Sequence, residues 1–403
     1  MNTRLLLSAI AATSMLLLTA AADQPKNPIP PNWQHVPRLV RPLAAPHAAR
    51  NAERAPSRSP KVVAWQSIDV AGAVATAAAT INDRGEIAGD WADSTFLSHG
   101  FVRRFDGRIV TFDPPRMAFP TQPAPIAEPL GTTVNGINDR GDITGFFTDV
   151  SGAYHSFVRW ANGRFTVFDD PSSNSAPIAT LAFAINDFGD VVGEYYDASG
   201  AYHGFLRHPD GAFVTIDGPD AVVTACDHIN LLGEVGCQYG DTNAVWHGLL
   251  RAANGRSVSF DAPGAGTSFD VGTFVGFNQA LNIEGAITGD YADDNDGYHG
   301  YVRHPNGKIT EFLVPGGGTD FGTGTLASSL NLLGTAVGFS YRPFFANTDG
   351  WIRFANGTIV VFDAPVTGQE GTYPYAVNDW NELTGFWYDA SAHLHGFVAV
   401  ALP

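Results

Sequence analysis

The stretch from Ile185 to Pro219 reads INDFGDVVGEYYDASGAYHGFLRHPDGAFVTIDGP, and variants of this string recur along the chain. Its opening, residues 186–189, predicts a tight turn in which Gly189 supplies a positive φ. Residues 191–197 then alternate between two faces with the period of a β-strand. The stretch therefore starts as a β-hairpin that follows the apolar run 178–185.

The second half of the stretch predicts another hairpin. Residues 203–207 are rich in strand-forming side chains, and residues 212–216 form the matching run. Asp210-Gly211 between them is the sequence signature of a type I′ turn. Each unit of the repeat thus has four strands, which we name a, b, c and d in chain order.

The turn between strands a and b recurs seven times, at intervals of 44 to 56 residues. Each copy begins with an asparagine: Asn82, Asn138, Asn186, Asn230, Asn282, Asn331 and Asn378. Four strands repeated with a period of this size are typical of the blades of a β-propeller. The hairpin between strands c and d recurs at Asp106, Asn162, Asp210, Asn254, Asn306 and Asn356, each followed by glycine.

The last unit, residues 373–403, ends after strand c, whereas residues 62–69 resemble a strand d that precedes the first strand a. One N-terminal strand, six complete units and a last unit of three strands give 28 strands. We therefore predict an all-β fold over residues 61–403, a seven-bladed β-propeller closed by the N-terminal strand completing the last blade. Closure would remove the exposed sheet edges that promote aggregation.

The N-terminal segment predicts export. Arg4 followed by LLLSAIAATSMLLLTAAA has the basic, apolar and small-residue regions of a secretory signal peptide that ends at residue 22. Residues 23–60 are rich in Pro and Arg, lack periodicity and predict a disordered linker. No second long apolar run follows. We expect a protein that is secreted or periplasmic and has no membrane span.

The charge of the repeats argues against nucleic acid as a partner. Subtracting +4 for residues 23–60 and +1 for residues 1–22 from the net charge of −17 leaves −22 for the repeats. A body this acidic repels phosphate backbones. We expect a monomer whose partner is an extracellular glycan or protein.

Cys226 and Cys237 flank the fourth ab turn. If Asn230 pairs with Gly233 in that hairpin, the two cysteines face each other across strands a and b. Export favours oxidation, so we predict a disulfide. A reactive or metal-binding thiol pair is the alternative.

Strand c begins with a His-small-aromatic signature in most units, as in His203-Gly204-Phe205 and His395-Gly396-Phe397. On these residues the chain resembles the bacterial HAF family of extracellular repeats, over roughly residues 62–400. The chain departs from the family pattern by Gly or Ser at the middle position and by Asp349-Gly350-Trp351 in unit six. The resemblance implies export and a repeated β-fold, and it carries no catalytic residues.

An aspartate precedes each signature histidine by six positions. We predict that each pair holds its bc loop through an Asp–His hydrogen bond or through bonds to loop amides, and a ring of metal ligands is the alternative. The pairs are Asp93 and His99, Asp149 and His155, Asp197 and His203, Asp241 and His247, Asp293 and His299, and Asp389 and His395. The arginine that follows the signature in units one to six is expected to pair with a carboxylate or carbonyl between blades: Arg103, Arg159, Arg207, Arg251, Arg303 and Arg353.

Candidate ligand-binding residues lie where the repeat varies, because loops on a rigid frame carry most binding sites. An aromatic residue precedes the histidine in four bc loops: Tyr154, Tyr202, Trp246 and Tyr298. Exposed rings would stack on sugars or anchor a protein partner, and packing of the loops is the alternative. In unit six, Arg342 replaces the loop aspartate and is a further candidate.

A secreted polysaccharide-degrading lyase or glycosidase with an axial pocket is the alternative function. Asp227 and His228 on the innermost strand would then act as general acid and base. The segment from Asp293 to Gly297 partly resembles a calcium loop without the full EF-hand spacing, so Ca²⁺ is kept as an alternative to no cofactor. Residues 61–403 contain no P-loop, dinucleotide, HExxH or nucleophile-elbow motif.

Overall fold

A computed structural model describes residues 61–115, 131–149, 152–173, 180–341, 348–365 and 371–403. These residues form 28 β-strands and no α-helix. The predicted signal peptide and linker, residues 1–60, lie outside the described residues. Within the described ranges, no segment has the length and apolar character of a membrane-crossing helix.

The strands fall into four classes by their position in the repeat. Class a contains β2 (Ala75–Ile81), β6 (Gly131–Ile137), β10 (Thr180–Ile185), β14 (Val223–Ile229), β18 (Gly272–Val275), β22 (Gly324–Leu330) and β26 (Gly371–Val377). Class b contains β3 (Ile87–Ala92), β7 (Ile143–Thr148), β11 (Val191–Tyr196), β15 (Val235–Gly240), β19 (Ile287–Ala292), β23 (Ala336–Tyr341) and β27 (Glu382–Tyr388). Class c contains β4 (Ser98–Arg103), β8 (Tyr154–Arg159), β12 (Tyr202–Arg207), β16 (Trp246–Arg251), β20 (Tyr298–Arg303), β24 (Thr348–Arg353) and β28 (Leu394–Leu402). Class d contains β1 (Lys61–Ile68), β5 (Ile109–Phe112), β9 (Phe165–Phe168), β13 (Phe213–Ile216), β17 (Ser257–Phe260), β21 (Ile309–Phe312) and β25 (Ile359–Phe362).

Neighbouring classes pair antiparallel in the order a, b, c, d within each unit, as in the third unit. The N-terminal strand β1 pairs with β28, from Lys61 opposite Leu402 to Ile68 opposite Gly396. It therefore takes the place of strand d beside the last unit. Single parallel bridges such as that between Tyr202 and Val223 join strand c of one unit to strand a of the next.

The ab turns are linked to one another by their asparagines. In six turns the Nδ2 atom donates to the backbone oxygen of the asparagine that begins the next turn, at 2.7–3.4 Å. Two bonds join the last turn to the first: Asp379 N–H donates to Asp83 Oδ1, and Trp380 Nε1 donates to Asp83 O, both at 3.0 Å. The turns of all seven units are therefore hydrogen-bonded in sequence around one cavity.

The apolar core lies between successive sheets. Buried clusters combine strands of adjacent units, as where Phe157 packs with Val102 and Val134. The arginine after the signature contributes to this packing in a way that differs from the expected ion pair. In units two, three, five and six its guanidinium lies over a phenyl ring of the preceding unit, as Arg159 lies over Phe112 at 4.8 Å. The pairing is a cation–π contact, which tolerates burial better than an isolated charge. Arg103 instead donates to Gln66 Oε1 at 3.3 Å.

Two turn predictions can be compared with the backbone. Gly189 has the expected positive φ of 84°. The type I′ prediction for the cd turn is wrong, because Gly211 has positive φ and Asp210 does not. Gly211 N–H instead bonds His208 O, which is the pattern of a type I turn followed by one left-handed glycine.

The predicted disulfide is present. Cys226 and Cys237 are directly opposed in the β14–β15 ladder, with a Cα–Cα separation of 4.0 Å. A covalent link thus holds the two innermost strands of unit four. Disulfides persist mainly in oxidising compartments, so the bond is consistent with a location outside the cytoplasm.

Candidate binding surface on the loop face

The connections lie on two opposite faces. The turn face carries the ab turns and the cd hairpins, and the loop face carries the bc and da connections. Sequence variation is greatest on the loop face, where the da connections differ in length and composition. We therefore located every candidate residue relative to these two faces.

One arrangement of side chains recurs on the loop face of most units, and we call it the histidine clasp. This is the signature histidine, the aspartate six residues before it, and an aspartate at the end of a strand d. In the third unit, His203 Nδ1 lies 2.8 Å from Asp217 Oδ1, and its Nε2 lies 3.5 Å from Asp197 Oδ2. Tyr195, opposite in the ladder, stacks on the imidazole. The histidine is therefore held between two carboxylates and an aromatic ring.

Five units carry the complete clasp. The shorter contact is to the second carboxylate, at 2.8–2.9 Å, in His99–Asp113, His155–Asp169, His203–Asp217, His247–Asp261 and His395–Asp69. The last pair joins β28 to the residue after β1. His299 contacts Asp293 at 3.2 Å, and Leu313 stands where the second carboxylate would be. Sequence reasoning missed the second carboxylate, although an aspartate follows most strands d.

The aspartate six residues before the histidine binds the loop amides. Oδ1 of Asp197 accepts the N–H groups of Ser199 and Ala201 at 2.8 and 2.9 Å. The Ser199 hydroxyl and these amides lower the pKa of Asp197 to about 2. The clasp is thus an anchor of the bc loop. Within the described part of the chain, no group of three or more His, Cys, Asp or Glu could hold a metal ion.

The four predicted aromatics begin strands c beside the next unit. Tyr202 is only 8% exposed, and its ring lies 3.5 Å, centroid to centroid, from that of Tyr196. Trp246 donates from Nε1 to Asp270 at 3.3 Å, and Tyr154 packs edge-on against Phe146. Tyr298 packs against a buried cluster, and burial raises its pKa. The expectation of freely exposed rings is wrong for Tyr202, because strand a of the next unit covers this position.

Exposed rings stand elsewhere on the loop face. Residues 262–274 and 314–326 are da connections of similar sequence, APGAGTSFDVGTF and VPGGGTDFGTGTL. They place Phe269 and Phe321 at equivalent positions, 61% and 74% exposed. The sequence signal was the shared Pro-Gly-x-Gly-Thr-x-Phe pattern, which is absent from the other connections.

The two connections are held by matching main-chain hydrogen bonds. Asp270 N–H donates to Ala244 O in the first connection, and Gly322 N–H, at the equivalent position of the second, donates to Asp296 O. Likewise, Trp246 N–H donates to Val271 O and Tyr298 N–H to Thr323 O. Both phenyl rings are therefore presented by the same rigid loop geometry on adjacent units.

The segment from Asp293 to Gly297, predicted as an alternative calcium loop, lies between these two connections. Asp294 Oδ1 accepts the N–H groups of Thr267 and Ser268 at 2.8 and 3.1 Å, and these bonds with the Ser268 hydroxyl lower the pKa of Asp294. The backbone oxygen of Asp296 receives Gly322 N–H. The segment joins the two phenylalanine-bearing connections.

Asp227 and His228 line a cavity of about 280 Å³ that opens on the turn face. Ala280 N–H donates to His228 Nδ1 at 3.3 Å, so the imidazole proton is on Nε2. Burial lowers the pKa of His228 to about 4, and the ring is therefore neutral near pH 7. A neutral imidazole whose free lone pair is already used cannot accept a proton as a general base. Arg342, the remaining candidate, lies outside the described residues.

Comparison with solved structures finds β-propellers. The β-propeller domain of the Trilobed protease from Pyrococcus furiosus, described as having an open velcro topology, is 8% identical, with a TM-score of 0.52 over 80% of this chain and 96% of that one. The BP39L lectin from Burkholderia pseudomallei is 12% identical, with a TM-score of 0.44 over 84% and 96%. A propeller domain of Cps50 (Swd1) from Myceliophteria thermophila is 7% identical, with a TM-score of 0.45 over 85% and 100%.

No protein-family model and no curated protein matches the chain. The chain folds as a β-propeller. At identities this low the first structural match establishes the fold alone, and the two weaker matches carry no argument about function.

Proposed function

We propose that this protein is an exported binding module, built on a closed seven-bladed propeller, that recognises an extracellular glycan or protein through its loop face. The exposed pair Phe269 and Phe321 carries the proposal, with the partly exposed Trp246 beside it. Two flat rings on one polar, rigid surface suit stacking on the C–H faces of sugars, and nearby carboxylates can accept hydrogen bonds from hydroxyls. A glycan is therefore the favoured ligand.

Seven-fold closure is supported by the pairing of β1 with β28, by the His395–Asp69 contact, and by the bonds from Asp379 and Trp380 to Asp83. An experimental structure with a blade number other than seven, or with residues 61–68 apart from residues 394–402, would contradict it. Export, membership of the HAF family and a monomeric state remain part of the proposal.

A glycan array probed with the protein tests the ligand. We expect the double variant Phe269→Ser/Phe321→Ser to lose at least about tenfold in affinity, since each stacked ring contributes on the order of 1 kcal/mol. The matched control is Phe188→Ser, which removes an equally exposed phenyl ring from the turn face and should change nothing. Binding that survives the double substitution, or a wild-type protein that binds no glycan, would reject a glycan site here and leave a protein partner.

The enzyme alternative keeps one supporting observation, the cavity that contains Asp227 and His228. The tautomer and low pKa of His228 oppose its use as the base. Turnover of a polysaccharide that disappears in His228→Gln while retention persists would favour the enzyme over the binding module.

A further inference from the structure

The cavity on the turn face is blind because unit five contains an excursion. β18 ends at Val275, and residues 277–279 leave the ladder, while Gly276 N–H donates to Thr288 O and Thr288 N–H donates to Ala280 O before the chain pairs again at Leu281. Asn278 Nδ2 donates to Ala79 O in unit one, and Gln279 Nε2 donates to Thr80 Oγ1, both at 3.1 Å. These bonds cross the centre of the propeller, so the excursion forms the floor of the cavity.

The floor contains buried polar atoms without partners. Asn135 is 2% exposed and His228 is 1% exposed, and both line the cavity. Among the residues that the structure describes, none is hydrogen-bonded to Asn135 Oδ1, Gln279 Oε1 or His228 Nε2. Because His228 Nε2 carries the proton, the floor offers two acceptors and one donor. Leaving such atoms unpaired costs about 1–3 kcal/mol each, so a ligand with both donors and acceptors would relieve the cost.

The mouth of the cavity is divided into two arcs. It is formed by the second residue of each ab turn. The acidic arc comprises Asp379, Asp83, Asp139 and Asp187, and the apolar arc comprises Leu231, Ile283 and Leu332. The arginines of the same turns, Arg84 and Arg140, line a separate surface pocket with Asp142 and Trp160.

The acidic arc is held in place by the backbone. Asp83 Oδ1 accepts Asp379 N–H at 3.0 Å, and Asp187 Oδ1 accepts Asp139 N–H at 2.8 Å. One oxygen of Asp83 and one of Asp187 are thus fixed by backbone N–H groups, which carry no net charge, and Arg140 Nη1 donates to the backbone oxygen of Asp187 at 3.1 Å. A cation at the mouth would meet several fixed negative charges on one side and apolar surface on the other.

We propose that this cavity binds a hydroxylated amine of monosaccharide size, such as a free amino sugar. The ammonium group would face the acidic arc, the C–H face of the ring would pack on the apolar arc, and hydroxyls would pair with Asn135, Gln279 and His228. A volume of about 280 Å³ is below the range of drug-sized pockets and suits a ligand this small. The site is independent of the loop face, so its test does not depend on the outcome for the proposed function.

Calorimetric titration of the oxidised protein with glucosamine tests the proposal. N-acetylglucosamine keeps the ring and loses the charge, whereas hexylamine keeps the charge and loses the hydroxyls. We expect glucosamine to bind at least about tenfold more tightly than either, because each lacks one of the two required features. Absence of binding by glucosamine, which would mean a cavity that holds water only, or equal binding by the other two compounds, would overturn it.

Matched variants locate the site. In Asp83→Asn/Asp187→Asn the new amide oxygens can still accept the N–H groups of Asp379 and Asp139, so the turns keep their bonds while the arc loses two charges. The control Asp106→Asn/Asp210→Asn makes the same change in cd hairpins of the same face, where Oδ1 also accepts one backbone N–H. Glucosamine affinity should fall about tenfold in the first pair and stay unchanged in the second.

An equal loss in both pairs would refute the site. If the Asp83→Asn/Asp187→Asn variant does not fold, the salt dependence of glucosamine binding to the wild-type protein is measured instead. Screening of the fixed arc should weaken glucosamine binding as salt is raised and leave N-acetylglucosamine unaffected. Glucosamine binding that does not depend on salt would overturn the proposal.

Discussion

The two ends of β11 use the same turn chemistry with different residues. At the turn face, Asn186 Oδ1 accepts the N–H groups two and four residues further along, both at 3.0 Å. At the loop face, Asp197 Oδ1 does the same for Ser199 and Ala201. The difference lies in the other polar atom of each side chain, which is Nδ2 in Asn186 and Oδ2 in Asp197.

That second atom has a different partner at each end. Asn186 Nδ2 donates to Asp190 Oδ2 at 3.1 Å and to Asn230 O at 3.4 Å, so an amide is required. Asp197 Oδ2 lies near the His203 imidazole at a partly exposed position, so a carboxylate is suitable. The comparison teaches that the local turn accepts either residue and that contacts with other strands select one of them.

The largest expected effect is that of Asn186→Asp. The substitution keeps the turn acceptor, removes the donor to unit four, and places a second carboxylate beside Asp190. We expect the free energy of unfolding to fall by on the order of 3 kcal/mol, measured by urea denaturation. The paired variant Asp197→Asn should change it by less than about 1 kcal/mol. Equal losses at the two ends would contradict the comparison.

A smaller effect is expected from removal of the disulfide in unit four. This is the one described unit whose a and b strands are linked covalently near the turn face. The bond spans 11 residues, and Cys226→Ala/Cys237→Ala should lower the free energy of unfolding by about 2 kcal/mol. Thermal unfolding with and without reductant provides the measurement. A variant as stable as the oxidised wild type would show that the hydrogen bonds of Asn230 hold this turn alone.

The smallest effect concerns pH at the loop face of unit two. Burial by itself lowers the pKa of His155, but its bonds to Asp169 and Asp149 outweigh burial and raise the pKa above 6.5. A histidine whose pKa is higher in the folded than in the unfolded protein stabilises the fold fully at pH values below its unfolded-state pKa. This contribution is lost as the pH rises through its folded-state pKa. The stability gap between wild type and His155→Gln should therefore shrink as pH rises above 6.5. A gap that widens over this range would show that His155 is held as the neutral ring.

Several features could be predicted because they follow from local periodicity. The strands, the seven ab turns and the opposition of Cys226 and Cys237 depend on alternation and on counting from the turn residues. The pairing of β1 with β28 followed from an unmatched strand at each end of the repeats. Burial of Tyr202 and exposure of Phe269 could not be predicted, because both depend on which neighbouring unit covers the loop.

The sequence by itself determined the β-strand repeat, its ab turns and its disulfide, since each depends on residues close together along the chain or in one hairpin. Tertiary structure decided that His395 meets Asp69, that Arg159 covers Phe112, and that Asn278 reaches Ala79. These contacts join residues whose separation is set by the packing of whole sheets. No local pattern encodes that separation, and the cavity on the turn face lies where one such contact, Asn278 with Ala79, crosses the propeller.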